Sequence, residues 1–373
     1  MLTWIEIDTG AIGRNIEAFR SVVSPGTAVM SIVKGNAYGH GIEVVAPVAA
    51  RHADWLGVNN LEEALAVRDL GIDKPVAILG HTELDRLDYV ISGEFRQVVY
   101  REDVAVALAR YAEMRGTKAR VHLKVETGTH RQGVALDSLE AFVKELRKLS
   151  NLEVEGVYTH FANIEDTLDP AFAQFQIEEF RRALAIVQDS GARPSWIHAS
   201  ATSGALLYPE MGFNMIRVGI GTYGIWPSRE TQLAARERGR KIALTPAITW
   251  KTRIVQIKTI RSGEFVGYGL TYQASHPMKI AILPIGYYDG YDRKLSNSGR
   301  VLVGERAVPV IGRVMMNMIA IDVTDADVKV DDEVVLIGRQ GKAEIRVEEL
   351  AEKIGTISYE VVSRIHPGIP RFA

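Results

Sequence analysis

Between Ala28 and Arg217 short apolar, β-branched runs alternate with longer stretches whose apolar residues recur at spacings of three and four. The first pattern suits buried strands and the second suits amphipathic helices. The runs predict strands at Ala28–Val33, Asp54–Val58, Pro75–Leu79, Arg96–Tyr100, Arg120–Val125, Leu152–Tyr158, Ser195–His198 and Asn214–Val218. Helical spacing is clear at Leu61–Leu70, Ser138–Leu149 and Pro170–Asp189. A sheet built from so many β-α units is expected to close as a (β/α)8 TIM-like barrel rather than stay open and doubly wound.

After the charged segment Arg229–Lys241 the spacing changes to period two. Runs at Ala247–Ile257, Met278–Pro284, Val301–Val303, Val308–Ile311, Met318–Val323 and Glu333–Ile337 are separated by turn signals such as Ser262-Gly263, Asn297-Ser298-Gly299 and Gln340-Gly341. One helix is predicted at Val347–Ile354. The α/β class expectation is therefore a barrel over residues 8–240 followed by a smaller, mostly β domain over residues 241–373, and 373 residues are enough for two cores.

Composition narrows the chemistry. A net charge of -2 gives no broad attraction to nucleic acid or to anionic membrane, so a small molecule is the expected partner. The chain has no cysteine, which removes disulfides, thiolate nucleophiles and cysteine-bound metals; no metal is expected. The opening residues Met1-Leu2-Thr3-Trp4-Ile5-Glu6-Ile7-Asp8 lack the basic and long apolar regions of a signal peptide, and no apolar run reaches membrane-spanning length. A soluble cytoplasmic protein is the expectation.

Candidate chemistry sits at the predicted strand ends, where barrels carry their sites. Lys34, Lys124, His160, Ser203 and Arg217 all fall at or just past such an end. In Val33-Lys34-Gly35-Asn36-Ala37-Tyr38-Gly39-His40-Gly41 a lysine closes an apolar run and is followed by three spaced glycines and the hydroxyl of Tyr38. A partly desolvated amine has a lowered pKa and can act as a nucleophile, as a Schiff-base lysine must; a lysine that merely snorkels from a strand end reads the same way locally. Gly219-Ile220-Gly221-Thr222-Tyr223-Gly224 has the spacing of a dinucleotide fingerprint, but it comes late and runs into Trp226-Pro227 instead of opening a helix after a first strand. Its amides could still cradle a phosphate.

The lysine segment resembles the pyridoxal-phosphate motif of alanine racemases, and the resemblance extends along nearly the whole chain. It implies that Lys34 carries pyridoxal 5'-phosphate, that strand 1–7 joins the β domain, and that Tyr38, Ser203, Arg217, Gly219 and Ile220 hold the cofactor. Arg217 would face the pyridine nitrogen; a guanidinium only donates there, which leaves the ring a weaker electron sink and favours reprotonation over transamination. Without the resemblance, Arg217 could equally be an arginine paired with a carboxylate. Racemisation needs a proton group on each face. The resemblance assigns Lys34 to one and Tyr268, in Val266-Gly267-Tyr268-Gly269, to the other, with His160 lying between Tyr268 and Arg217.

Arg131, after Val121-His122-Leu123-Lys124-Val125-Glu126-Thr127-Gly128, is implied as the substrate-carboxylate ligand, and Lys124 matches a position that is carbamylated in many members. Met316 and Tyr287, the latter in Gly286-Tyr287-Tyr288-Asp289-Gly290-Tyr291, are implied at the substrate side of the partner subunit's site in a homodimer. Thr202 stands where Asn is common. Asn317 replaces an Asp, and Pro367 replaces a tyrosine that helps hold phosphate and narrows the entrance. The resemblance thus implies racemisation of alanine, supplying D-alanine for peptidoglycan. A serine or broad-specificity racemase, a non-catalytic cofactor carrier and a decarboxylase are the alternatives; decarboxylases of this architecture typically use a cysteine that this chain lacks.

Overall fold

The structure, a computed structural model, describes residues 1–166 and 168–373. These divide into two compact units, one comprising Met1–Thr9, Tyr38–Val44 and Pro246–Ala373, the other Gly10–Ala37 and Val45–Thr245. The first unit contains the opening strand β1 (Thr3–Ile7).

The second unit is a barrel. Among the described residues it holds eight parallel strands: β2 (Ala28–Ile32), β3 (Trp55–Val58), β4 (Val76–Ile78), β5 (Arg96–Val99), β6 (Ala119–Lys124), β7 (Leu152–Tyr158), β8 (Trp196–His198) and β9 (Met215–Val218). Each expected strand is present within a residue or two. Consecutive strands pair in parallel from β2 to β8, and β9 returns to pair with β2. Residues buried on both faces explain the near-continuous apolar runs, since helices cover the outside of a parallel sheet. The packing is typified by Leu123, Val125 and Val157 of the β6–β7 region against Leu139 and Val143 of helix Leu136–Lys148 and Phe180 and Ala183 of helix Ala171–Asp189. Burying one such Leu or Phe contributes about 1.5–3 kcal/mol.

The barrel is nearly closed. No β8–β9 ladder forms among the described residues, and the Asn214 side chain together with isolated backbone bonds joins that seam instead. Asn214 accepts from the Ile197 N–H at 2.8 Å and donates to the Ser195 carbonyl at 2.7 Å. The Arg217 N–H donates to the Ser200 carbonyl at 3.0 Å.

In the first unit the sheet is almost wholly antiparallel. Its further strands are β10 (Ile248–Arg253), β11 (Gln256–Ile260), β12 (Met278–Leu283), β13 (Arg300–Val303), β14 (Arg306–Ile311), β15 (Ile319–Asp322), β16 (Glu333–Gln340), β17 (Ala343–Ile345) and β18 (Arg371–Phe372). β1 does join it, running antiparallel to β10 with Ile5 opposite Trp250, and parallel to β18. Two corrections concern this unit. The run read as one strand over Ala247–Ile257 is two, broken at Ile254 and Val255, whose amides bond the carbonyls of Asp332, just before β16, and of Ile282 in β12. The helix Val347–Ile354 is followed by a second, Ser358–Ser363, too short for its periodicity to stand out.

Candidate active site

Lys34 follows the buried end of β2, and the chain then turns in an unusual way. Gly35, Asn36, Ala37 and Tyr38 all have positive φ, between 52° and 63°. Only glycine adopts this freely; each non-glycine residue held so costs on the order of 1–3 kcal/mol, a strain concentrated at functional sites. The Ala37 N–H bonding the Val33 carbonyl at 2.9 Å and the complete burial of Ala37 help hold the turn. The Lys34 amine is kept below the ordinary lysine range by burial and by the charge of Arg131, with Glu63 opposing and Arg217 adding to the effect.

Arg217 lies in β9, 3 % exposed, and is held on several sides. Its Nη1 donates to His198 Nδ1 at 2.7 Å, and the two hydrogens of its Nη2 serve the carbonyls of Ala199 at 2.8 Å and Thr159 at 2.9 Å and, through a shared hydrogen, His160 Nδ1 at 3.2 Å. Burial pulls its pKa down to about 10, which still leaves it charged at neutral pH. Because a guanidinium only donates, the ring nitrogens facing it must be acceptors, which places the protons of His198 and His160 on Nε2. His198 then donates to His122 Nδ1 at 2.9 Å, so His122 carries its own proton on Nε2, 3.7 Å from the Glu155 carboxylate, which Arg96 holds at 3.0 Å. All three imidazoles are kept neutral, their pKa lowered first by burial; Arg217 then adds to the effect at His160 and His198, whereas Glu155 opposes it at His122. Glu155 in turn titrates at about 2: burial works against this, but His122 and Arg96 outweigh it.

Beside this chain stands Tyr158, whose ring stacks on His198 with centroids 4.7 Å apart and has Arg217 at 5.0 Å and Lys124 Nζ at 5.5 Å from its centroid. Lys124, buried at the end of β6, donates to Gln132 at 3.3 Å, and burial with the charges of Arg131 and Arg217 lowers its pKa to about 8. Glu126 accepts the N–H groups of Gly128 at 2.6 Å and Arg131 at 3.2 Å and so shapes the Arg131 loop. The Arg131 guanidinium makes no ion pair among the described residues, which leaves its bidentate donors open to a carboxylate.

Two of the expected phosphate donors, Ser203 and Gly219, are already engaged. Ser203, buried, donates its hydroxyl to Glu165 at 2.7 Å. Thr202 Oγ1 accepts the N–H of Gly219 at 3.1 Å and, more weakly, of Gly221 at 3.4 Å; Ile220 is fully buried. A phosphate reaching Ser203 would have to turn its hydroxyl away from Glu165. The donor set otherwise fits pyridoxal phosphate: an amine of lowered basicity for an aldehyde, a guanidinium with one Nη1 N–H unspent among the described residues, and a concentration of cations for an anionic ligand.

The structure thus brings Lys34, Lys124, Arg131, His160 and Arg217 into one electrostatic cluster. The remaining candidates belong to the other unit. Tyr268 is 72 % exposed on a short turn between Gly267 and Gly269, both at positive φ. Tyr287 and Met316 are exposed and tied together through backbone: the Tyr287 and Tyr288 N–H groups bond the Met315 and Met316 carbonyls at 3.1 and 3.0 Å. Tyr38 lies 6.1 Å from the Tyr359 ring, centroid to centroid. Pro367 is fixed by Arg371, which donates to its carbonyl at 2.9 Å and also to the Gly39 and His366 carbonyls. Sequence reasoning missed His198, His122, Glu155, Glu63, Glu165 and Arg371. The two histidines had a signal, since His122 interrupts an apolar strand and His198 ends one, and both are buried; the glutamates and Arg371 had none.

Comparison with known proteins bears on the family of the chain. The family model for the alanine racemase N-terminal domain matches residues 7–227, and that for the alanine racemase C-terminal domain matches residues 247–373. An alanine racemase of Symbiobacterium thermophilum is 40 % identical over 99 % of this chain and 96 % of its own. The solved alanine racemase of Clostridium difficile 630 superposes with a TM-score of 0.91 at 30 % identity, covering 100 % of this chain and 95 % of its own. A histidine racemase of Leuconostoc mesenteroides superposes with a TM-score of 0.89 at 28 % identity, covering 100 % and 98 %. With both domains matched across nearly their whole length, the chain belongs to the alanine racemase family.

Proposed function

We propose that this enzyme interconverts L- and D-alanine with pyridoxal 5'-phosphate as cofactor, in the cytoplasm, and so supplies D-alanine for peptidoglycan. The observation that carries the reading is the meeting of a low-basicity Lys34 with an Arg217 whose partners are all neutral acceptors. When bound, the cofactor supplies a conjugated ring that accepts the electron pair left at Cα. The chain's own groups do the rest. Arg131 holds the substrate carboxylate and thereby orients the Cα–H bond. Lys34 Nζ takes the proton on one face and Tyr268 Oη serves the other, each acting as base in one direction and acid in the reverse. Arg217 cannot hand a proton to a ring nitrogen, because two neutral histidines and two carbonyls fix it as a charged donor. With the cofactor bound, an Arg217 held in this way would favour return of the proton to Cα.

Tyr268, Tyr287 and Met316 are exposed on the β unit, which supports a homodimer in which each copy completes the other's site. Lys124, titrating at about 8, is a suitable amine for carbamylation, which would replace its positive charge beside Arg131 with a negative one. A second reading, a racemase that also accepts serine or larger side chains, is favoured by Pro367 in place of an entrance tyrosine and by the likeness to a histidine racemase.

The test is incubation of the protein and cofactor with a panel of L-amino acids, followed by chiral chromatography. D-alanine formation supports the leading reading, and its absence with another D-amino acid formed supports the second. Borohydride reduction followed by peptide mapping should attach the cofactor to Lys34; attachment to any other lysine would refute the assignment.

A further inference from the structure

Glu63 has no part in the scheme above, yet it bridges the ends of two neighbouring barrel strands beside the reactive lysine. It lies in the first turn of helix Leu61–Asp69, where Asn60 caps its own N–H at 2.9 Å. One carboxylate oxygen accepts the Gly35 N–H at 2.6 Å and the other the Asn59 N–H at 2.8 Å. Gly35 directly follows Lys34 and begins the left-handed turn; Asn59 directly follows β3. A carboxylate is acceptor-only, so its two oxygens meet both amides without conflict.

We propose that Glu63 is a positioning residue for Lys34, a clasp whose carboxylate fixes the strained turn carrying the amine and sets a negative charge against the cations gathered around it. Position and charge are separable. Gln keeps one acceptor oxygen but turns an NH2 group toward the second amide and loses the charge. Asp keeps the charge but has a shorter reach. The electrostatic direction is consistent: Glu63 supports the protonated amine while burial, Arg131 and Arg217 oppose it.

The inference rests on reading Lys34 as the cofactor-bearing amine, and its test does not. The full-length chain, freed of any bound aldehyde with hydroxylamine, is labelled at its amines with trace acetic anhydride across a pH series, and the Lys34 peptide is quantified by mass spectrometry. Hydrogen exchange is followed at Gly35 and Asn59. In Glu63→Gln the Lys34 labelling midpoint should fall, and exchange at one of the two amides should rise roughly tenfold. In Glu63→Asp the midpoint should stay at the wild-type value while exchange rises. A wild-type midpoint in a folded Glu63→Gln protein overturns the charge role, and wild-type exchange in Glu63→Asp overturns the clasp even should the Gln variant not fold. Trapping of the cofactor on a different lysine would sink the parent reading while leaving these measurements to judge Glu63.

Discussion

Arg217 donates to Nδ1 of His198 at 2.7 Å, and this one bond fixes the protonation of everything behind it. A second proton on His198 would put an N–H where Arg217 already points one. The same holds for His160, whose Nδ1 accepts from Nη2 at 3.2 Å. The interior is therefore built for neutral imidazoles, and their charging is set against the fold.

Acid stability reads this directly. His122, His160 and His198 titrate below the ordinary histidine value of 6.5 when folded. The unfolded chain therefore takes up protons near that pH while the folded chain does not, and stability present above it is lost as pH falls toward the lowered folded values. Urea unfolding should show stability dropping from about pH 7 to 5, each histidine adding at most about 1.4 kcal/mol per pH unit. His198→Gln, whose side-chain oxygen can still accept from Arg217, should give a shallower slope over that window. An unchanged slope would count against the neutral relay.

Tyr268→Phe keeps the ring and removes the proton carrier. Activity should fall by roughly 10²- to 10⁴-fold. Because Tyr268 is proposed to serve the other subunit, mixing Lys34→Ala with Tyr268→Phe protein should restore part of the activity through heterodimers with one intact site. Wild-type activity in Tyr268→Phe would end the two-base scheme, and failed complementation despite verified subunit exchange would argue for a site within one chain.

Carbamylation of Lys124 should depend on its free amine, which becomes abundant as pH passes about 8. Carbon-13 NMR in labelled bicarbonate should show a carbamate signal that strengthens from neutral pH upward and is missing in Lys124→Arg. A signal unaffected by that substitution would place the modification elsewhere.

Substrate choice should follow the entrance. Pro367 lacks the ring and hydroxyl of a tyrosine, and an added hydroxyl on the substrate is a small steric change that a pocket rejects poorly. Serine racemisation should be measurable beside alanine, and Pro367→Tyr should shift the ratio toward alanine. Loss of the tyrosine hydroxyl leaves one phosphate donor fewer, so the same variant should also bind cofactor more tightly, by up to about 1–3 kcal/mol. Alanine-only activity with no change in Pro367→Tyr would remove the entrance argument.

By itself the sequence determined the period of each element, and with it the barrel. Runs such as Ala28–Val33 and Trp55–Val58 are apolar because parallel strands are covered on both faces, and that requirement is local enough to read residue by residue. It also determined which residues could carry chemistry, since Lys34 and Arg217 stand at strand ends whatever their neighbours prove to be. Only the tertiary structure decided what those neighbours are. That Ser203 is turned to Glu165, that Gly219 is taken by Thr202, and that Arg217, His198, His122 and Glu155 form one line all depend on residues brought together from 17 to 76 positions apart. Glu63 illustrates the limit most sharply: its place in an amphipathic helix is written in the spacing, but its two bonds to Gly35 and Asn59 exist only because β2 and β3 end side by side. Hydrophobic periodicity records burial, whereas hydrogen bonding and charge are set by direction and distance, which folding alone supplies.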